Sequence, residues 1–266
     1  MCWTRENIYG HGKRLQWILR QVRKEQIIVE LGCGTGYMIS LPLAKMNHAI
    51  WGLDIDRRSI RFGQELFRRE GLDPDRLKLT PLHQLELIPD VIIASEVLEH
   101  LETNELSRVL SGVRTKLNLD GLFLVTVPNG FGWFEVESYL WFRIGIGRLL
   151  QRVKVAGLIH KLKCLILGSD IDAAYPSTLS ESRHLQRFSY SSIQDLLRSA
   201  GFEVEQIQGA VLFCGPFSNL FFTGIKPIMR LNCLLGQWFP RAAAGFHIRC
   251  RVAFDKGITP GNKGRA

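Results

Sequence analysis

Two short stretches of the sequence carry residue types that could hold a nucleoside. V-E-L-G-C-G-T-G occupies residues 29–36, and W-G-L-D-I-D occupies residues 51–56. Glycines let a ligand approach the backbone closely, and an acid that ends the next strand accepts hydrogen bonds from ribose hydroxyls. Asp54 follows Gly36 by 18 residues, which suits this role. The pair of stretches predicts a site for a nucleotide-like ligand, and an ordinary strand–helix turn is the structural alternative.

The spacing of the glycines narrows the choice of ligand. Gly32, Gly34 and Gly36 follow the pattern G-x-G-x-G, whereas a dinucleotide fingerprint would have its third glycine where Tyr37 stands. A pyrophosphate needs bare backbone at that place, and a ligand without phosphate does not. The spacing therefore favours a nucleoside cofactor without phosphates, of which S-adenosylmethionine is the common example.

A second group of reactive side chains follows a buried strand. Glu96, Glu99 and His100 are spaced i, i+3, i+4, which predicts that they share one helix face. Two carboxylates and an imidazole could bind Mg²⁺ or another divalent ion. Alternatively, Glu96 touches the cofactor, Glu99 faces solvent and His100 packs beneath the substrate. His184 is a further candidate as a base or a ligand, with a structural role as its alternative.

The chain alternates between strand and helix patterns. The predicted strands lie at residues 27–31, 48–53, 77–79, 91–94, 121–127, 202–207 and 247–254. The predicted helices lie at residues 37–45, 57–70 and 189–200, with another that ends at Leu117. Such alternation predicts an α/β fold with a Rossmann-like, doubly wound, mostly parallel seven-stranded sheet.

Several segments resemble the class I S-adenosylmethionine-dependent methyltransferases. V-E-L-G-C-G-T-G-Y (29–37) resembles the first motif of that family, and W-G-L-D-I-D (51–56) resembles its ribose-binding motif. Residues 89–101 resemble its fourth strand and the helix that follows, and residues 119–129 resemble its fifth strand. Residues 184–204 resemble the helix and sixth strand of its small-molecule branch. The likeness covers about residues 25–130 and 184–210.

The resemblance implies a set of cofactor-binding residues. Glu30, Gly32, Gly34 and Gly36 would line the methionine part, and Asp54 would hold the ribose. The family often has an acid near the adenine after the third strand, but this chain reads Pro-Leu-His there, so backbone or His83 is expected instead. The full predicted set also includes Cys33, Ile55 and Ser95.

The E-x-x-E-H pattern at Glu96, Glu99 and His100 resembles two groups of enzymes. One is the ubiquinone-pathway O-methyltransferases, and the other is the small-RNA 2′-O-methyltransferases, in which the pattern ligates metal. A hydroxyl acceptor needs help from a neutral histidine or a metal, so His100 and His184 favour an oxygen acceptor.

Composition and charge indicate the type of partner and the cellular location to expect. The net charge of +9 over 266 residues suggests an anionic partner, such as nucleic acid, a membrane surface or a phosphorylated substrate. The six cysteines form no C-x-x-C pair, and residues 1–6 lack the apolar core of a signal peptide. We therefore expect a reduced, cytoplasmic protein, with peripheral contact to the membrane as an option.

The predicted domain organisation is one methyltransferase domain over residues 1–266. Its core covers about residues 25–130 and 184–254, a helical cap is inserted at about 131–183, and a loose basic tail spans 255–266. Residues 138–169 contain six Lys or Arg and no acid. The segment 211–225, with Trp238 and Phe239, is expected to complete an apolar acceptor pocket.

A stripe at helical spacing runs through the cap: Phe142, Ile146, Leu149, Leu150 and Val153, with Arg148 and Arg152 away from it. This basic amphipathic pattern predicts contact of residues 138–169 with a membrane surface or a lipid substrate. The alternative is a lid that packs its stripe on the domain.

These features together predict methyl transfer from S-adenosylmethionine to a hydroxyl of a small or lipid-linked molecule, with Mg²⁺ as an optional metal. One rival is an RNA 2′-O-methyltransferase. It is disfavoured because the basic residues alternate with an apolar stripe and no known RNA-binding module is recognisable. The other rival is a non-catalytic protein that binds the cofactor and uses its cap as an interaction surface.

Overall fold

The computed structural model of the protein describes residues 8–155, 157–159, 161, 176–180 and 183–253. The predicted basic tail lies outside this range. The strands are β1 (Ile27–Leu31), β2 (Ala49–Asp54), β3 (Leu77–Leu79), β4 (Val91–Ser95), β5 (Leu122–Pro128), β6 (Phe202–Gly209) and β7 (Gly245–Val252). The helices are α1 (His11–Gln21), α2 (Ser40–Lys45), α3 (Arg57–Arg69), α4 (Thr103–Lys116), α5 (Trp133–Ser138), α6 (Ile146–Arg152), α7 (Tyr190–Ser199), α8 (Pro216–Phe222) and α9 (Lys226–Trp238).

The strands form one seven-stranded sheet in the order β3-β2-β1-β4-β5-β7-β6. The five strands from β3 to β5 pair in parallel, and β7 is antiparallel to both of its neighbours. The strand order reverses between β1 and β4, so the carboxyl ends of these two strands border a crevice where ligands bind in open α/β sheets. The predicted Rossmann-like, mostly parallel sheet is confirmed.

Helices cover both faces of the sheet. On one face, α4 and α7 bury their apolar residues against the strands. On the other face, α1, α2 and α3 pack around Ile28, Ile50 and Ile93. Alternate residues of the buried strands supply the two cores, as the two-residue period of a strand requires.

Helix α1 extends the core beyond the predicted start near residue 25. Its Leu15 and Ile18 are buried in the same cluster as α2 and α3. Buried Lys13 donates hydrogen bonds to the carbonyl oxygens of Gly209 (3.1 Å) and Cys233 (2.8 Å), and so ties α1 to the end of β6 and to α9.

The helix predicted to carry Glu96, Glu99 and His100 on one face is not continuous, so this prediction was wrong. Glu96 has a left-handed backbone (φ 56°), residues Leu98–His100 form one 3₁₀ turn, and α4 begins only at Thr103. Glu102 caps α4 through a reciprocal capping box, which fixes its start after the turn. The ligand atoms of Glu99 and His100 converge with one of His184, and Glu96 is not part of that group.

The cap also departs from a single amphipathic helix. After α5, a π-helical turn spans Tyr139–Arg143, and Gly145 takes a left-handed backbone (φ 86°) before α6. The break divides the predicted stripe. Its members Phe142, Leu149 and Val153 are exposed, so the alternative of a lid that buries this stripe on the domain is wrong for these three residues.

A second insertion, residues 210–244, joins β6 to β7 and carries α8 and α9. The sequence patterns did not predict these helices. Trp238 and Phe239, which were expected to line an acceptor pocket, are instead exposed at the end of α9. Within the described residues, no helix is both long and apolar enough to cross a membrane.

Candidate active site

The glycine loop between β1 and α2 lies beside the carboxylate of Asp54. The backbone N–H of Gly34 donates a hydrogen bond of 2.7 Å to Oδ2 of Asp54, and the N–H of Asp56 donates one of 2.8 Å to Oδ1. Asp54 ends β2 and the loop follows β1, so parallel pairing of these strands brings both to one edge of the sheet. The two sequence stretches therefore lie next to each other in the structure, as predicted.

All three loop glycines have left-handed backbones, with φ of 60° at Gly32, 56° at Gly34 and 71° at Gly36. Non-glycine residues rarely adopt this conformation, which explains the choice of residue. Packing adds a second reason, because a Cβ would meet Val97 at Gly32 and the side chains of Leu77 and Ser40 at Gly36.

Gly34 is covered by a short segment of the cap, residues 176–180, which we call the strap. The strap backbone passes so close that a Cβ on Gly34 would clash with the carbonyl oxygen of Ser177. That oxygen accepts a hydrogen bond of 2.9 Å from the N–H of Thr35, and the Thr35 hydroxyl donates one of 2.7 Å to the carbonyl of Pro176. Farther along, the N–H of Leu179 donates a hydrogen bond of 2.9 Å to the hydroxyl of Ser59.

Glu30 lies below the glycine loop, fully buried within β1. The hydroxyl of Ser40, at the start of α2, donates a hydrogen bond to its carboxyl group. Burial raises the pKa of Glu30 to about 8, the bond from Ser40 opposes this, and the charge of Asp54 adds to it. At neutral pH the group is therefore predominantly a neutral carboxylic acid.

A polar network surrounds the carboxyl end of β4. The hydroxyls of Ser95 and Thr126 are 2.9 Å apart, and Thr126 donates a hydrogen bond of 2.9 Å to Glu96. Arg14 reaches in from α1, donating to Ser95 at 3.2 Å and lying 3.7 Å from the Glu96 carboxylate. A cation, a carboxylate and two hydroxyls thus meet at the crevice.

Arg14, Thr126 and Thr35 were missed by the sequence reasoning. One signal was available for Arg14: it precedes the apolar Ile18 by four residues, so a helix there would carry this cation on the side that buries Ile18. His11, also on α1, has its pKa lowered to about 4, mainly by burial and then by the charge of Arg14. Its imidazole is therefore neutral at physiological pH.

Glu99, His100 and His184 form a separate cluster, in which one ligand atom from each lies within 4.8 Å of the others. The rings of His100 and His184 meet edge to face, with centroids 4.9 Å apart. Nε2 of His100 is 3.8 Å from Oε1 of Glu99. Glu99 is buried, and neither of its carboxylate oxygens has a hydrogen-bond partner in the described part of the chain. Burial, followed by the charge of Glu96, raises the pKa of Glu99 to about 9.

The tautomer of His100 follows from its neighbour. Its Nδ1 is 3.1 Å from the carbonyl oxygen of Arg183, and a carbonyl can only accept a hydrogen bond. Nδ1 therefore carries the proton, and in the neutral ring the lone pair is on Nε2, the atom next to Glu99. Partial burial lowers the pKa of His184 below the ordinary value for histidine, and a positive charge on His100 would act in the same direction.

Comparison with known proteins identifies the family. A profile of the methyltransferase-domain family matches residues 9–207. The chain belongs to the class I S-adenosylmethionine-dependent methyltransferases.

Known methyltransferases of diverse substrate classes resemble this one. The ribosomal protein L11 methyltransferase of Marinomonas sp. (strain MWYL1) is 26% identical over 152 residues, which are 55% of this chain. The match spans only 49%, about half, of that relative's length. Among solved structures, an S-adenosylmethionine-dependent methyltransferase of Methanosarcina mazei superposes with a TM-score of 0.54 at 18% identity, covering 90% of this chain and 98% of the other.

A second solved structure is the 1,6-didemethyltoxoflavin-N1-methyltransferase of Burkholderia thailandensis, which contains S-adenosylhomocysteine and its substrate. It has a TM-score of 0.53 at 14% identity and covers 95% of this chain and 81% of the other. At such identities the likeness supports the fold and not the acceptor. S-adenosylmethionine is the cofactor of this methyltransferase family, and the carboxylate of Asp54 beside the glycine loop fits its ribose.

The other predicted cofactor residues of the methyltransferase lie in different surroundings. Ser95 belongs to the polar network, and Ile55 is exposed just beyond Asp54. The side chain of Cys33 is buried in the core with α2 and α3, which leaves only its backbone for a ligand. His83 is exposed and borders a shallow depression along α4, together with Ser107, Arg108, Ser111, Gly112, Thr115 and Lys116.

Replacement of Asp54 tests the cofactor site of the methyltransferase. Asp54→Ala should weaken binding of both S-adenosylmethionine and S-adenosylhomocysteine by about 1–3 kcal/mol, because hydrogen bonds to ribose hydroxyls are lost. Isothermal titration calorimetry measures this change. Asp54→Asn is the matched variant, since its one carbonyl oxygen can still accept the N–H of Gly34, and it should lose less. Tight binding of NADH without response to S-adenosylmethionine would contradict the site.

Proposed function

We propose that the protein transfers a methyl group from S-adenosylmethionine to a hydroxyl group of a small or lipid-linked molecule. The observation that carries this proposal is the pair of imidazoles, His100 and His184, in contact beside the buried carboxyl group of Glu99. Amine acceptors need little help to lose a proton, whereas a hydroxyl needs a base or a metal. The resemblance of residues 96–100 to ubiquinone-pathway O-methyltransferases supports the same choice.

The residues of the chain divide the work between positioning and proton transfer. Asp54 and the glycine loop hold the nucleoside, and the end of β4 with Arg14 supplies polar groups around the rest of the cofactor. S-adenosylmethionine supplies an electrophilic methyl on sulfur, so that transfer breaks the S–C bond, forms an O–C bond and leaves S-adenosylhomocysteine. The unprotonated Nε2 of His100 accepts the proton of the acceptor hydroxyl, and Oε1 of the predominantly uncharged Glu99 lies 3.8 Å from this nitrogen.

A metal is the competing way to activate the hydroxyl. Glu99, His100 and His184 fit a divalent ion, because their ligand atoms converge and the oxygens of Glu99 have no hydrogen-bond partner in the described chain. Two imidazoles and one carboxylate suit Zn²⁺, Mn²⁺ or Fe²⁺ better than Mg²⁺, which prefers oxygen ligands. The predicted ligand Glu96 lies instead in the network of Arg14 and Thr126. An ion in the cluster would lower the pKa of a bound hydroxyl.

The location belongs to the same proposal. We place the protein in the cytoplasm at a membrane surface; the exposed apolar residues and the arginines of the cap support contact of residues 138–169 with lipid. The acceptor would then be presented from the bilayer or dissolved close to it. Nucleic acid is the less favoured partner, because exposed apolar side chains alternate with the basic ones.

Transfer of a labelled methyl group tests the function. The protein is incubated with S-adenosylmethionine carrying a tritiated methyl and with separate lipid, small-molecule and total-RNA fractions of cell extracts. We expect label in a methyl ether product of the lipid or small-molecule fraction. Label in RNA 2′-O-methyl nucleosides would favour the RNA rival. Binding of S-adenosylhomocysteine without labelled product in any fraction would favour the non-catalytic one.

A further inference from the structure

The outer side of α9 combines basic and apolar residues that do not belong to the core. Lys226, Arg230, Leu234 and Trp238 recur every four residues and therefore form one row along the helix. All four are exposed, as are Leu231 and Phe239 next to the row, with Trp238 at 66%. The row is basic in its first half and apolar in its second half.

The opposite side of α9 is firmly docked on the domain. Met229, Asn232 and Gly236 are buried at helical spacing. The side-chain oxygen of Asn232 accepts hydrogen bonds from the N–H groups of Leu212 (3.1 Å) and Phe213 (2.7 Å). A Cβ on Gly236 would clash with the carbonyl oxygen of Ala210, so the helix packs against this backbone so closely that only glycine fits. The helix is thus held with its basic and apolar row outward.

The cap continues this surface. Buried Glu137 of α5 accepts hydrogen bonds from the N–H and the hydroxyl of Ser218 on α8, and the rings of Trp141 and Phe217 meet edge to face at 4.9 Å. These contacts join the two insertions. Most of the exposed large hydrophobic side chains of the described chain belong to residues 131–158 and 221–239, within the two insertions.

The charge of the second insertion is of one sign. Between Glu205 and Asp255 the sequence has no acidic residue, whereas Lys226, Arg230 and Arg241 are basic. A helix that presents Lys and Arg beside Leu and Trp suits the interface of an anionic bilayer, where the cations meet phosphate groups and the tryptophan lies at headgroup level.

We propose that α9, through Lys226, Arg230, Leu231, Leu234, Trp238 and Phe239, is a docking face for the surface of an anionic lipid bilayer. This docking face deepens the proposed function, since it would bring a lipid-linked acceptor to the protein. The proposal rests on the proposed function only in its assumption of a lipid-linked acceptor, because the protein can bind a bilayer without transferring a methyl group. The lipid contact is thereby assigned to the insertion between β6 and β7 as well as to the cap.

Sedimentation with vesicles tests the docking face. The full-length protein is mixed with vesicles of phosphatidylcholine alone or of phosphatidylcholine with phosphatidylserine, at rising salt. We expect binding to the anionic vesicles that weakens with salt. Lys226→Glu with Arg230→Glu should weaken it about 30-fold or more, at about 1 kcal/mol per basic residue. Leu234→Ser with Trp238→Ser should weaken binding at every salt concentration.

Matched variants and a binding control keep the result interpretable. Arg61→Glu with Arg68→Glu on α3 makes the same charge change on another exposed helix and should bind vesicles like the wild type. Unchanged calorimetric binding of S-adenosylhomocysteine shows that each variant is folded. The proposal is overturned if the α9 and α3 variants bind vesicles alike. It is also overturned if α9 instead mediates dimers that Leu234→Ser with Trp238→Ser dissociates, or binds RNA in preference to vesicles.

Discussion

Alanine at His100 is expected to lower kcat by about 10²–10⁴-fold, while EDTA leaves the wild-type rate unchanged. The rate falls because the variant lacks the general base that takes the proton of the acceptor hydroxyl. The rate of the wild type should rise with pH and level off once the imidazoles are neutral, because only the unprotonated ring accepts a proton. His184→Ala should also reduce kcat. The pKa of His184 is lowered by burial, so this ring becomes neutral below the ordinary pKa of histidine.

Glu99 distinguishes the base from the metal. If His100 is the base, Glu99→Gln should retain most of the activity, because glutamine preserves the shape of a group that is predominantly uncharged near neutral pH. If a metal activates the hydroxyl, EDTA abolishes turnover, Zn²⁺ or Mn²⁺ restores it, and Glu99→Gln is nearly as damaging as His100→Ala. Stopped assays with each variant, before and after EDTA and with each metal restored, give the answer. Full, metal-reversible EDTA sensitivity would refute the base.

We expect the effect of Glu30→Gln on the free energy of unfolding of the ligand-free protein to depend on pH. The difference between variant and wild type should be more favourable to the variant at pH 8 than at pH 4.5, by roughly 4 kcal/mol. The folded state raises the pKa of Glu30 from 4.5 to about 8, so the folded chain keeps a proton that the unfolded chain releases. Below pH 4.5 both states are protonated and Glu30 causes no pH dependence. Between pH 4.5 and 8 the free energy of unfolding of the wild type falls with rising pH, and above pH 8 this contribution is constant. Glutamine carries no titrating proton and removes the fall.

Urea unfolding of both proteins across this pH range measures the difference. Comparing the two proteins cancels the contributions of the buried histidines, which titrate in both. Glu203→Gln, an exposed change on β6, is the matched control and should follow the wild type at every pH. Parallel stability curves for Glu30→Gln and the wild type would show that Glu30 ionises normally in the folded protein.

Local patterns predicted the sheet and the cofactor loop well. Continuous apolar runs such as 91–94 are buried on both faces of a parallel sheet, so their strand character is visible in the sequence. The glycines and Asp54 were also predictable, because each depends on its own backbone conformation or on its position at a strand end. The two stretches meet at one edge of the sheet because they follow β1 and β2, which are parallel neighbours.

Other features depend on contacts between distant parts of the chain. The spacing of Glu96, Glu99 and His100 was interpreted as a helix face, but the left-handed backbone of Glu96 and the hydrogen bond from its N–H to Thr126 turn the chain there. Periodicity cannot show such a turn, because the partner that fixes it lies on another strand. The contact of His184 with His100 was equally invisible to periodicity, because the two residues are far apart in the sequence and lie on opposite sides of the cap.

The sequence by itself determined the class of fold, the cofactor loop and the basic, apolar character of the insertions, because these properties reside in residue types and short spacings. Tertiary structure alone decided which side chains meet. It left Glu96 out of the cluster of Glu99, His100 and His184, brought Arg14 from α1 to the end of β4, and turned Trp238 outward. The physical reason is that a side chain's neighbours depend on how helices dock across the sheet, and docking sums many weak contacts that no local pattern contains.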